Sequence, residues 1–83
     1  MTQVNIKYFA SLREALGPGE RHQTQAQTVG QLRDELIALG APHAQALARG
    51  RPVRAALNQV MSEEDQPLSE GCEIAFFPPV TGG

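Results

Sequence analysis

The residues whose types and spacing suggest chemistry lie at the carboxy end: Phe76-Phe77-Pro78-Pro79-Val80-Thr81-Gly82-Gly83. Phe76 and Phe77 close an apolar strand. Pro78 and Pro79 lack a backbone N–H and fix φ, so no sheet continues through them. Two successive prolines favour the extended polyproline conformation, and the tail is expected to leave the body at Pro78 as a projecting arm. From Pro78 to Gly83 such an arm reaches roughly 20 Å at about 3.3–3.6 Å per residue. Pro78, Pro79, Val80, Thr81 and Gly82 are the residues expected to lie in a partner's channel. Gly82 and Gly83 have no Cβ atoms, so the tip fits a narrow passage and brings the Gly83 carboxylate to another protein's active site. An α-carboxylate, with a pKa of about 3.3–3.7, is ionised at neutral pH and is a poor electrophile. Exchanging one oxygen for a good leaving group, as in an acyl-adenylate, activates it. A nucleophile can then take the acyl group, or a sulfur donor can turn it into a thiocarboxylate, itself a sulfur nucleophile. Gly-Gly alone reads more simply as a frayed terminus. The Pro-Pro elbow directly after an apolar strand is what singles out a presented tail.

Other candidates for chemistry are weaker. Cys72 leads into the last strand with no histidine near it in sequence, and a small apolar packing role is the simpler reading. His22 and His43 have no ligand spacing to Cys72 or to each other, so no metal site is expected. Glu63, Glu64 and Asp65 read as a solvated turn. Arg49, Arg51 and Arg54 could dock a partner, but a solvated basic loop explains them as well. There is no Gly-x-x-x-x-Gly-Lys-Ser/Thr nucleotide loop, so any ATP chemistry on the tail has to come from another protein.

The elements that position the tail must come from 83 residues, of which 41% are hydrophobic and 19% charged. That length implies one small domain with an efficient core. The formal charge of −2 gives no basic footprint for nucleic acid. No apolar run is long enough to span a membrane, and the first ten residues lack a signal pattern. One cysteine precludes an internal disulfide framework. These features lead to an expectation of a cytoplasmic protein.

Val4, Ile6 and Tyr8 alternate with Asn5, Lys7 and Phe9, the period of a half-buried strand. Ser11 and Glu14 form a capping-box signature for a short helix holding Leu12 and Leu16 on one face, stopped by Gly17-Pro18. Glu20 to Ala26 reads as an exposed edge strand hairpinned to the first. Thr28 and Gln31 repeat the cap signature. Val29, Leu32, Leu36 and Leu39 then recur at helical spacing, predicting a main helix over 29–39 with Arg33, Asp34 and Glu35 on its solvated face. Pro42 to Arg49 suggests a further helical turn. Arg54 to Gln59 reads as a third strand, with Val60-Met61 continuing toward a turn. Cys72 to Phe77 is the last strand. One sheet with a dominant helix on one face is an α+β arrangement.

This pattern resembles the ubiquitin-like β-grasp fold, in which the first and last strands lie side by side. More narrowly, several segments are similar to the small subunits of molybdopterin synthase, of the MoaD/ThiS family. They are Tyr8-Phe9-Ala10, Arg13-Glu14, Leu57-Asn58-Gln59, Pro67-Leu68 before Gly71, and Glu73 through Gly83. Cys72 departs from the pattern, where the family commonly has Asp. The resemblance implies a sulfur carrier. An ATP-using MoeB-like enzyme adenylates Gly83, a persulfide donor supplies sulfur, and a MoaE-like large subunit takes the thiocarboxylate tail. Sulfur then passes to cyclic pyranopterin monophosphate to make molybdopterin. It further implies a heterotetramer of two small and two large subunits, and no cofactor bound by this chain.

Strand alternation sends Phe9 and Phe77 to the face opposite Val4, Ile6, Tyr8, Ile74 and Phe76. With the first and last strands adjacent, the two rings come together, and with Met61 they form a candidate partner interface. Two further readings stay open: a carrier for another pathway (thiamine thiazole) or a protein modifier joining Gly83 to lysines, and a non-covalent ubiquitin-like interaction module.

Overall fold

In the computed structural model the described residues are 1–79. The first strand, β1 (Thr2–Tyr8), buries Val4, Ile6 and Tyr8 and leaves Asn5 and Lys7 in solvent, as the period-two pattern requires. The chain turns into α1 (Ala10–Leu16), runs back as β2 (Gly19–Thr24), and enters the main helix α2 (Val29–Ile37). A single helical turn, α3 (His43–Ala46), leads to β3 (Arg54–Leu57), β4 (Val60–Ser62) and β5 (Glu73–Phe77). The sheet order is β2-β1-β5-β3-β4, with β1 and β5 parallel at the centre and the other pairings antiparallel. This is the expected α+β grasp: the helical layer covers one face of the sheet, and the core is Val4, Ile6, Tyr8, Leu32, Leu36, Leu47, Ile74 and Phe76.

Within the scaffold, sequence signals and structure part company first at five places. Ser11 is not the cap of α1. Phe9 is, because the β1–β5 ladder continues through the bond from Phe9 N–H to Phe76 C=O at 3.1 Å and Ala10 then turns at φ 53°. The Phe9 carbonyl accepts from Leu12 and Arg13, so the first turn closes without a side-chain cap. The main helix ends at Ile37, two residues early. The Leu39 and Gly40 N–H groups bond to Leu36 and Ile37 in a tightened last turn, which leaves Leu39 56% exposed.

Arg33 is the third departure: it is 5% exposed, not solvated. Its Nε donates to Leu47 C=O at 2.8 Å, Nη2 to Ala48 C=O at 2.7 Å and to Arg51 C=O at 3.2 Å, and Nη1 to Glu64 at 3.2 Å. One guanidinium thus satisfies the carbonyls of a loop with little regular structure, which is how a buried charge becomes tolerable.

Fourth, the third strand stops at Leu57. Asn58 and Gln59, both with positive φ (49° and 70°), form the two-residue turn of a hairpin, and β4 pairs back on β3 through Leu57 and Val60. Asn58 also accepts from Glu73 N–H at 2.9 Å and donates its own N–H to Glu73 C=O at 2.8 Å, tying the turn to β5. Fifth, Cys72 precedes β5 and does not belong to it. It is buried in the core as a free thiol, as a packing role requires.

The cap of α2 forms as its sequence indicates. Thr28 Oγ1 accepts from Gln31 N–H at 3.2 Å, and Gln31 Oε1 accepts from Gln27 N–H at 2.8 Å. Two further amides of the first turn, Val29 and Gly30, donate to Gln66 and Glu64 carbonyls. A Cβ at Gly30 would sit in tight contact with Glu64, 3.0 Å from its Cβ, so the glycine lets the turn approach the helix closely.

Candidate functional site

β5 delivers the tail. Ile74 and Phe76 face the core, and Ala75 and Phe77 face away from it, toward the side of the sheet that no helix among the described residues covers. In register, Lys7, Ala75, Ala56 and Met61 form one row across β1, β5, β3 and β4 on this outer face. Phe9 extends β1 one residue past the Tyr8–Phe76 pair, with extended backbone, so it lies beside Phe77. Phe77 is in turn paired with Arg54. Phe9 is 45% exposed, Met61 63% exposed, and Phe77 half-buried. The two alanines make a flat floor between these larger side chains. The three residues expected at the interface therefore share one face, around the strand that leads into the tail. An aromatic and a thioether side chain standing in solvent at the rim of a small-residue floor suit a protein contact.

Pro78 and Pro79 follow directly after β5 and end the ladder, as their missing N–H groups require. They do not start a free arm. Both are half-buried, and Pro79 lines a cavity of about 400 Å³ with Val53, Arg54, Met61 and Phe76. The elbow is therefore seated on the end of the sheet, because its pyrrolidine rings have apolar neighbours to cover. The expected channel and acceptor residues Val80, Thr81, Gly82 and Gly83 lie outside the described residues.

Two polar clusters that sequence spacing did not reveal tie β2 to the helical layer. His22 Nε2 lies 2.7 Å from Glu35 Oε1 of α2, and His43 Nε2 of α3 lies 2.9 Å from Glu20 Oε2. Tyr8 OH donates to the same Glu20 oxygen at 2.9 Å. A carboxylate only accepts, so each Nε2 carries the proton. Burial pushes the Glu20 carboxyl up, but the hydrogen bonds from His43 and Tyr8 outweigh it and hold Glu20 below the usual carboxylate value. Burial likewise opposes ionisation of Glu35, and the Thr24 hydroxyl, His22 and the Gln25 amide reverse that effect. Burial, then the Glu20 charge, raise Tyr8 far above the ordinary phenol value, so it stays a donor. Both histidines are thus structural partners of carboxylates.

Of the acidic turn, Glu64 is not simply solvated. Hydrogen bonding from Arg49 holds its carboxyl low, and Arg33 adds to the effect. Arg49 also bonds to Asp34 and to the Gly30 carbonyl, which gives it a structural role in place of docking. Arg54 stays exposed beside Phe77.

This fold, with the tail leaving a central strand, has counterparts among known proteins. The ThiS family model matches residues 6–83. The chain belongs to the ThiS family. It is 40% identical over 81 residues to the molybdopterin synthase sulfur carrier subunit of Escherichia coli K12, covering 96% of this chain and 99% of that one. To the protein of the same name from Mycobacterium tuberculosis it is 33% identical, covering all of both chains. Among solved structures it is similar to the small archaeal modifier protein SAMP1 of Haloferax volcanii, with a TM-score of 0.74, 26% identity, and coverage of 98% and 99%. It is also similar to a chain in the complex of subunits 1 and 2 of molybdopterin-converting factor from Helicobacter pylori. There the TM-score is 0.63, the identity 25%, and the coverage 99% and 100%.

Proposed function

We propose that this chain is the sulfur-carrier small subunit of a molybdopterin synthase, with Gly83 as the group that carries sulfur. The observation that supports this most is its full-length kinship with sulfur carrier subunits at 33–40% identity. The geometry agrees with it: the apolar outer face surrounds the strand from which the tail departs. In this reading an ATP-using, MoeB-like enzyme adenylates the Gly83 carboxylate, the outer sulfur of a persulfide donor attacks the acyl-adenylate and AMP leaves, and a second thiol of the donor system cleaves the resulting acyl disulfide, becoming part of a disulfide as the thiocarboxylate is freed. The thiocarboxylate tail, led by Pro78-Pro79-Val80-Thr81-Gly82, then enters the active site of a MoaE-like large subunit and yields sulfur to cyclic pyranopterin monophosphate. Phe9, Met61 and Phe77 dock the body on each partner in turn, in a heterotetramer of two small and two large subunits in the cytoplasm. The chain itself binds no cofactor. A partner of the large-subunit kind has support in the similarity to a chain from a two-subunit converting-factor complex.

The likeness to an archaeal modifier protein favours a second reading, in which activated Gly83 is joined to lysines of other proteins. Intact-mass spectrometry of the chain from its native host tests both. Exchange of a terminal oxygen for sulfur is the expected result. A chain found only as isopeptide adducts on lysine would replace the first reading by the second.

A further inference from the structure

The outer face carries a charge pattern that the apolar patch does not explain. Beside Phe9 runs an open groove of about 500 Å³ along β1 and β2, lined by Lys7, Phe9, Arg13, Gly19, Glu20 and Arg21 among others. The register places Arg21 opposite Asn5 and Gly19 opposite Lys7 on the face away from the core. Arg13 reaches the groove from the first helix, one turn beyond Phe9.

Lys7, Arg13 and Arg21 are all exposed. Lys7 meets Glu73 at 3.3 Å, while Arg13 and Arg21 form no ion pair among the described residues. The one acid lining the groove, Glu20, is engaged by Tyr8 and His43. General basicity cannot account for this, because the chain is net negative. Cations have collected where acids are absent or occupied.

Resting on the reading of this chain as a synthase small subunit, we propose that the groove receives an acidic segment of the large subunit. Carboxylates of that segment meet Arg13 and Arg21, and an adjacent apolar residue meets Phe9. Two arguments carry it. The charge of the groove is complementary only to an anionic occupant. Phe9 belongs to both the groove and the apolar patch, so the two form one continuous surface. Arginine offers a planar fork that takes a carboxylate through two hydrogen bonds, which gives such a contact orientation as well as attraction. Charges at the edge of an interface chiefly raise the rate of encounter and set which partner is accepted.

The test is the R13E/R21E variant, titrated against the purified large subunit by calorimetry and stopped-flow, with Phe77→Ala as the comparison. At about 50 mM salt, where screening is weak, the variant should bind about tenfold more weakly or worse, mainly through slower association. At about 1 M salt the Debye length falls to about 3 Å and the difference should close. Wild-type affinity should itself weaken as salt rises. If charge reversal compromises folding, seen as a lowered thermal midpoint, R13Q/R21Q asks the same question and should show a smaller loss of the same salt dependence. Equal binding of wild type and charge variants at low salt, with Phe77→Ala still defective, would overturn the groove and leave the sulfur-carrier reading standing. Failure of the wild-type chain to bind the large subunit at any salt would overturn both.

Discussion

Phe9 and Phe77 occupy the neighbouring positions on central strands where a hydrophobic side chain meets water instead of core. Truncating Phe77 or Phe9 to alanine is expected to weaken partner binding by about 2 kcal/mol or more each, the usual cost of a central aromatic anchor. Phe9, nearly half exposed, should change unfolding free energy by no more than about 0.5 kcal/mol. Phe77 should cost somewhat more, since it is half-buried. A urea titration beside each binding curve separates the two roles, and unfolding with no change in intrinsic affinity would make these rings core residues. At Gly83 the expectation is sharper. Appending one alanine, or deleting Gly83, should abolish sulfur loading in a reconstituted assay while the thermal midpoint stays put, because changes at a chain terminus generally cost a fold little. Normal loading of the extended chain would remove Gly83 from the chemistry.

A close backbone approach at Gly19 and the buried charge of Arg33 constrain the elements differently. At Gly19 a Cβ would clash with the Ile6 carbonyl oxygen, so β2 can lie on β1 only because that position has no side chain. Gly19→Ala should push the edge strand away and cost about 1–3 kcal/mol of stability. Hydrogen exchange should show β2 amides losing protection first. Arg33 stabilises by satisfying carbonyls of the loop that follows α3, which contributes Leu47 to the core. Arg33→Met would keep much of the volume but leave those carbonyls without a donor. We expect a loss of about 3 kcal/mol in urea unfolding, the range for buried pairs with one partner removed. A loss under about 1 kcal/mol would show that water replaces the guanidinium.

Across the whole molecule, acidic side chains secure the helical layer and cations rim the opposite face. Glu20 and Glu35 fasten β2 to α3 and α2, and Asp34 and Glu64 fasten α2 to the loops through Arg49. All four carboxyls are held below their ordinary values in the folded chain. The sign of the pH dependence follows. Above the ordinary Glu value of 4.5 both folded and unfolded states are ionised, and the full stabilisation is present. As pH falls through that value the unfolded chain takes up protons first, so stability declines until the folded carboxylates protonate as well. Urea midpoints should therefore drop below pH 4.5, and the E20Q/E35Q variant should show a shallower drop from a lower starting stability. An unchanged slope in that variant would assign the acid sensitivity to other groups.

Much of this was legible in the chain itself because it depends on local pattern. Val4, Ile6 and Tyr8 alternate, Thr28 and Gln31 cap a helix, and Pro78-Pro79 end a strand for reasons carried by the residues themselves. The face assignment of Phe9 and Phe77 followed from the same period of two, once the first and last strands were taken as neighbours. Other features depended on contacts distant in sequence. Asn58-Gln59 lacks the glycine that usually marks a tight hairpin, and Glu73 is what holds the turn in place. Arg33 sits among Asp34 and Glu35 like any solvated charge, and only the packing of the 47–51 loop against α2 makes it a buried donor. His22 and His43 share no spacing, yet the curl of β2 beneath the helices gives each a carboxylate. The groove of Lys7, Arg13 and Arg21 likewise exists only because pairing places three separate segments side by side. Periodicity and backbone chemistry act within a few residues, whereas neutralisation and burial of charge depend on which distant groups the fold brings within hydrogen-bond reach.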